Sequence, residues 1–200
     1  MPARPLPDSK QALRERFRAY RATLSPEAIA AKSASIRERI AALLDVQAAK
    51  TIHCYWPMVD RGEIDTRPLI RTLHEQGVEM VLPVVTRFDA DAPSMTHRRY
   101  TGDDALRPNR WGVQEPIDTD IVSPDGLDVI IVPALGAGCN GHRIGHGKGY
   151  YDAFLTGLDV PTIALVYDAC LVDAVPADAH DVPMSTIVTE HETLDRSVAA

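Results

Sequence analysis

From the N-terminus, apolar positions first recur at helical spacing. Leu13, Phe17, Tyr20 and Leu24 stand four, three and four apart within residues 9–24, which places them on one helix face. Lys10, Arg14, Arg18 and Arg21 form a second, basic stripe on the same helix. Ser25-Pro26 stops the chain and restarts it, and residues 26–44 read as a second helix with Pro26 in its first turn. Residues 1–8, ahead of this pair, are Pro-rich and read as a loose start.

The pattern changes at residue 51. Short β-rich or apolar runs at 51–56 (TIHCYW), 78–85 (VEMVLPVV), 127–135 (LDVIIVPAL), 161–167 (PTIALVY) and 184–193 (MSTIVTEHET) predict strands. The third and fourth are apolar almost throughout, as in strands buried on both faces. Between them lie a helix over 64–77 ended by Gly77, a polar, irregular stretch over 86–110 with room for a hairpin, a Gly-rich loop over 136–149, and a helix over 150–158. Strands alternating with helices predict an α/β fold, a mostly parallel sheet with helices on both faces, preceded by the N-terminal helical pair. With no repeat and no low-complexity linker, residues 1–200 read as a single domain. Ligands of such sheets gather at the carboxyl ends of strands, here the loops after Trp56, Val84, Val132 and Val166.

Composition narrows the function class. Of 200 residues, 45% are hydrophobic and 24% charged, which is ordinary for a soluble globular chain. The net charge of −7 lacks the broad basic surface of a general nucleic-acid binder, so any phosphate site must be built locally. Cys54, Cys139 and Cys170 form no CxxC pair and suggest a reducing compartment. The start of the chain has no apolar signal core, and no run approaches the roughly 18 apolar residues of a membrane span. The expectation is a cytoplasmic protein with neither a membrane nor a nucleic-acid partner.

The segment richest in chemistry is 141–152, GHRIGHGKGYYD. Gly145, Gly147 and Gly149 lie two apart, Arg143 and Lys148 supply positive charge, and His146 lies among them. Exposed loop N–H groups ahead of a helix make an anion site. The spacing matches neither GxxxxGK[ST] nor GxGxxG, so on glycines alone a tight strand-to-helix turn is an equal reading. Asp152, in the first helical turn, can hold Mg²⁺ bridged to phosphate. On position alone it is more simply an acid that suits the helix dipole. Asp181, in HDVP, carries the same ambiguity. Lys10 and Arg14, at i and i+4, either clamp phosphates or form a solvated basic face, the latter favoured by spacing alone. Glu63 either accepts hydrogen bonds from a polar heterocycle or leads the helix beside Asp65-Thr66. Trp56, Trp111, Tyr150 and Tyr151 supply flat walls for a ring or simply pack the core. The histidines form no HxH or HExxH pair, and no Ser-His-Asp or Cys-His spacing is present.

In order, these segments resemble the 5-formyltetrahydrofolate cyclo-ligase family. The match comprises K-x-x-x-R at Lys10 and Arg14, E-[IV]-D-T at Glu63 to Thr66, L-P at Leu82-Pro83 and W-G-V-Q-E-P at 111–116. It continues with N-G-x-R-[IL]-G-x-G-x-G-Y-Y-D at Asn140 to Asp152, P-x-x-x-H-D-V-P at 176–183 and I-V-T-E at 187–190. The resemblance implies an ATP- and Mg²⁺-dependent enzyme that cyclises 5-formyltetrahydrofolate to 5,10-methenyltetrahydrofolate. It implies ATP-phosphate contacts from Lys10, Arg14, Arg143, Ile144, Gly145, His146, Gly147, Lys148, Gly149, Tyr150 and Tyr151, with Lys148 and Arg143 neutralising charge during catalysis. It implies Mg²⁺ at Asp152 and Asp181, a pterin contact from Glu63, and a folate pocket walled by Trp56, Trp111 and Tyr150. The implied partners are small molecules, a reduced folate and ATP, and the implied state is a monomer. The chain departs from the family pattern at Gly136-Ala137-Gly138-Cys139, where many members carry an Asp, and at Asp168-Ala169-Cys170, where many carry a Gln. An ATP-using relative acting on another small substrate, and a non-catalytic folate- or nucleotide-binding protein, stay open as alternatives.

Overall fold

A computed structural model describes residues 9–88 and 93–196; the segment 1–8, expected to be loose, lies outside them. Helices α1 (Lys10–Ala22) and α2 (Pro26–Ala41) form the N-terminal pair. Each begins at a serine whose hydroxyl accepts a backbone N–H, Ser9 from Ala12 and Ser25 from Ala28, both at 3.2 Å. The predicted second helix breaks at Ala42, and a short α3 (Leu44–Ala48) follows.

The first strand is shorter than its apolar run. β1 (Thr51–His53) ends three residues before Trp56, because the chain then turns out of the sheet and into the site. α4 (Arg67–Glu75) returns it to β2 (Glu79–Arg87). Two hairpins overlap the irregular stretch and extend beyond it. β2 pairs antiparallel with β3 (Ser94–Arg99), and β4 (Leu106–Pro108) with β5 (Gln114–Pro116). β6 (Val129–Pro133) follows as predicted. The segment expected to be a Gly-rich loop contains β7 (Gly136–Gly138) and β8 (Arg143–Ile144), paired antiparallel. α5 (Tyr150–Leu155) stops three residues short of its expected end. β9 (Thr162–Leu165), β10 (Leu171–Val172), β11 (Thr186–Val188) and β12 (Thr193–Asp195) complete the chain. β10 pairs with β7 in a small separate sheet.

The main sheet runs β12-β11-β9-β6-β1-β2-β3. Its inner five strands are parallel, and each edge strand is antiparallel. Alternate residues of each strand serve opposite faces. Val129 and Ile131 of β6 join Leu13, Phe17, Ile36 and Leu69 from α1, α2 and α4 on one face. Ile130 and Val132 join Leu155 of α5 on the other. The helices therefore cover both faces unequally: α1, α2, α4 and, through Val46, α3 lie on one face and α5 on the other. Each fully buried side chain of this kind contributes about 1.5–3 kcal/mol relative to exposure. Among the described residues no helix is long and apolar enough to cross a membrane.

Candidate active site

Chain order reverses across β1: β2 lies on one side of it and β6 on the other. At such a reversal the carboxyl ends diverge and leave a crevice. The brevity of β1 deepens the crevice. Its last pairings are His53 with Val81 and with Ile130, while β2 and β6 run on to Arg87 and Pro133. The notch is lined by Pro83, Val85 and Pro133 and opens into a cavity of about 420 Å³. That size suits a small-molecule ligand. The carbonyl of Tyr55, just past β1, is secured by the Thr66 hydroxyl at 2.7 Å, so Thr66 anchors this turn rather than capping α4 with its side chain.

Every site residue singled out in the sequence lines this one cavity: Lys10 and Arg14 from α1, Trp56 and Glu63 after β1, Trp111 between β4 and β5, Arg143 to Asp152 from β8 to α5, and Asp181 near the end. α1 lies across the strand ends and is pinned there. Arg14 Nε donates to the Gly145 carbonyl at 3.2 Å, and Arg21, only 5% exposed, donates to the Ala134 carbonyl. Arg21 is thus a buried clamp and not part of a solvated stripe. Gly147 has φ +89°, a left-handed conformation that suits glycine. Lys148 is exposed and makes no hydrogen bond or ion pair among the described residues.

Glu63 is buried. Its Oε2 accepts the Met58 N–H at 2.8 Å, and its Oε1 faces His146 Nε2 at 3.2 Å. Trp111 sits in a turn whose N–H groups at 111 and 113 donate to Asn109 Oδ1. Its ring stands edge-on to Phe88, at 4.6 Å, and to Tyr150, at 6.2 Å. The Tyr150 hydroxyl donates to the Arg87 carbonyl at 2.6 Å, tying the head of α5 to the end of β2. Trp56 packs against Tyr100, 6.1 Å between ring centres. Tyr151 is part of the wall, and it also packs into the core beneath α5.

Both candidate metal carboxylates face cations. Asp152 Oδ1 accepts from Arg143 at 2.9 Å, and Asp181 pairs with Lys10, which also reaches Asp178 at 2.6 Å. Burial alone would raise the pKa of Asp181, but the Lys10 ammonium and the Asp178 N–H hold it below the usual carboxylate value. Asp178, His180 and Asp181 bring ligand atoms within 4.8 Å of one another, with Lys10 bonded to two of them. That trio does not include Asp152, but Asp152 and Asp181 both offer carboxylate oxygens to the same cavity and so fit Mg²⁺, which binds through one or two carboxylates plus phosphate oxygens.

Sequence reasoning missed Glu115. It is 8% exposed, and its Oε1 accepts from Val85 N at 3.0 Å and Asn109 Nδ2 at 2.8 Å, capping the β2 edge that β1 leaves open. It lay inside the W-G-V-Q-E-P segment, but no spacing rule distinguishes such an acid. Met58, Met95 and Val113 add apolar lining that composition could not reveal.

The comparisons with known proteins agree. The profile of the 5-formyltetrahydrofolate cyclo-ligase family matches residues 7–190. The mouse 5-formyltetrahydrofolate cyclo-ligase is 28% identical over 91% of this chain and 94% of its own. The Haemophilus influenzae enzyme of that name is 29% identical over 90% and 96%. The NMR structure of Aquifex aeolicus 5,10-methenyltetrahydrofolate synthetase superposes with a TM-score of 0.82 at 27% identity, covering 94% of this chain and 92% of that one.

Proposed function

Because the chain belongs to the 5-formyltetrahydrofolate cyclo-ligase family and is a ligase of that class, we propose that it converts 5-formyltetrahydrofolate and ATP to 5,10-methenyltetrahydrofolate, ADP and phosphate in a Mg²⁺-dependent reaction. The observation that carries this reading is the convergence of the basic loop, the α1 cations, two carboxylates, Glu63 and the aromatic walls on one cavity at the strand reversal.

The chemistry asks little covalent work of the protein. The formyl oxygen on N5 attacks the γ-phosphorus, and the bond to the β,γ-bridging oxygen breaks to release ADP. N10 then attacks the activated formyl carbon, the carbon–oxygen bond breaks, phosphate leaves, and the N10 proton is lost as the ring closes. Such a transfer needs alignment and charge neutralisation. Lys148, Arg143, Arg14 and Lys10 supply fixed cations around the phosphates. Asp152 and Asp181 are the residues that would hold Mg²⁺, which would supply further charge neutralisation to the transfer. Glu63 accepts N–H groups of the pterin, while Trp56, Trp111 and Tyr150 wall the ring and exclude water.

The test is to mix purified protein, 5-formyltetrahydrofolate, ATP and Mg²⁺ and follow the absorbance of methenyltetrahydrofolate. A rise that needs both ATP and Mg²⁺ and is lost in Lys148→Ala supports the proposal. No rise while ATP still binds overturns it.

A further inference from the structure

Glu63 and His146 lie 83 positions apart and meet between two elements with different tasks. Glu63 belongs to the turn after β1 and is assigned to the pterin. His146 belongs to the loop assigned to the phosphates. The Glu63 side chain is 6% exposed, and only its Oε2 is taken by the backbone, through Met58 N. A buried carboxylate oxygen without a partner is costly. His146 Nε2, at 3.2 Å, fills that place.

We infer that His146 is a positioning residue that couples occupancy of the phosphate loop to the orientation of Glu63, so that nucleotide and folate each strengthen the other's binding. The inference rests on the functional reading above and goes beyond it.

The His146 side chain is 39% exposed and sits between Gly145 and Gly147, so its own packing holds it weakly. The loop is held instead by groups that a phosphate would also engage. Arg14 bonds the Gly145 carbonyl, and a Cβ added at Gly147 would stand 3.5 Å from the Arg14 guanidinium carbon. A nucleotide that draws in Arg14, Lys148 and the loop amides fixes the backbone on both sides of residue 146. The imidazole is then fixed on Glu63 Oε1, and Glu63 is set for the ring N–H groups it must accept. Coupling of this kind is reciprocal, and typically about 5–150-fold in affinity.

The experiment uses the whole protein and titration calorimetry. The probes are 5-formyltetrahydrofolate and Mg²⁺ with the β,γ-imido analogue of ATP, whose γ-phosphoryl group does not transfer. In the wild type the analogue should tighten the folate Kd about fivefold or more. In His146→Ala the nucleotide alone should bind more weakly, and the coupling, read as the ratio of folate Kd values without and with saturating analogue, should fall to about one. His146→Gln, whose amide N–H can reach Glu63, should restore part of it. Thermal melting establishes that the variants are folded. Equal coupling in wild type and His146→Ala overturns the inference, as does its absence from the wild type when both ligands bind. If the wild type binds neither ligand, the functional reading fails, and the inference with it.

Discussion

The Arg143 guanidinium donates to Asp152 Oδ1 at 2.9 Å, so a cation of the phosphate loop and the candidate metal carboxylate neutralise each other in one ion pair. The Arg143 side chain is 5% exposed and that of Asp152 26%. Removing one member of such a pair strands the other charge, at a cost of about 3–5 kcal/mol when fully buried and less here. Arg143→Ala should therefore lower stability by about 2–3 kcal/mol in urea unfolding. The double variant Arg143→Ala/Asp152→Ala should recover part of that loss. Additive losses in the double variant would show that the pair is not coupled.

Asp152→Asn tests the other side of the pair. It keeps the side chain's shape and an acceptor for Arg143 but removes the charge offered to a divalent ion. Turnover should fall about a hundredfold, and half-saturation should require more Mg²⁺. An unchanged Mg²⁺ requirement would move the metal away from Asp152.

Lys148 separates activity from stability. It is exposed and without a partner among the described residues, so Lys148→Ala should change unfolding free energy by no more than about 0.5 kcal/mol. The same change should lower kcat about 100- to 1,000-fold. A large drop in melting temperature would contradict the structure.

Below α5 lie two buried histidines. His97 stacks on Phe154 with ring centres 4.0 Å apart, and His53 lies 5.1 Å from His97. Burial pushes the His97 pKa down to about 4, and burial together with His97 pushes that of His53 well below its ordinary value. In the unfolded chain both titrate near 6.5. Below that pH the unfolded chain binds more protons, so stability falls from about pH 6.5 down through about pH 4, and their contribution is full and flat above. His97→Phe should flatten part of that slope in urea unfolding at pH 7, 5.5 and 4.5. An identical slope would place the acid sensitivity elsewhere.

Gly136 and Gly138 of β7 leave no room for a side chain. A Cβ at Gly136 would collide with the Phe17 ring and the Cys170 carbonyl, and one at Gly138 would lie 2.6 Å from Val175 N and closer still to Asn140. Gly138→Asp should destabilise the protein by about 1–3 kcal/mol in urea unfolding. A neutral result would mean that β7 and the 174–175 turn yield easily.

Local pattern made much of this legible. The helical steps of Leu13 and Phe17 and the apolar runs of β6 and β9 placed the core elements, because each is a single face or a single buried run. The ordered motifs named the residues that meet in the cleft. What stayed hidden depends on partners distant in sequence. β7 and β8 read as a loop because Gly-Ala-Gly in β7 carries no strand signal and β8 is two residues long, and only the pairing of β7 with β8 and with β10 makes them strands. Glu115 needed the early end of β1 to become a cap. The Glu63–His146 contact joins two motifs that no spacing rule connects.

The anchoring of α1 also sets an order of assembly. Its ties run forward to Ala134, Gly145, Asp178 and Asp181, spanning 113 to 171 positions. A growing chain that has reached the end of β6 has made the helix, four strands of the main sheet and the Val129 and Ile131 surface on which Leu13 and Phe17 pack, yet lacks these four ties. The apolar face of α1 can therefore dock before its cleft-side contacts exist, and the cleft closes only after the 178–181 turn emerges. Contacts this distant in sequence slow folding.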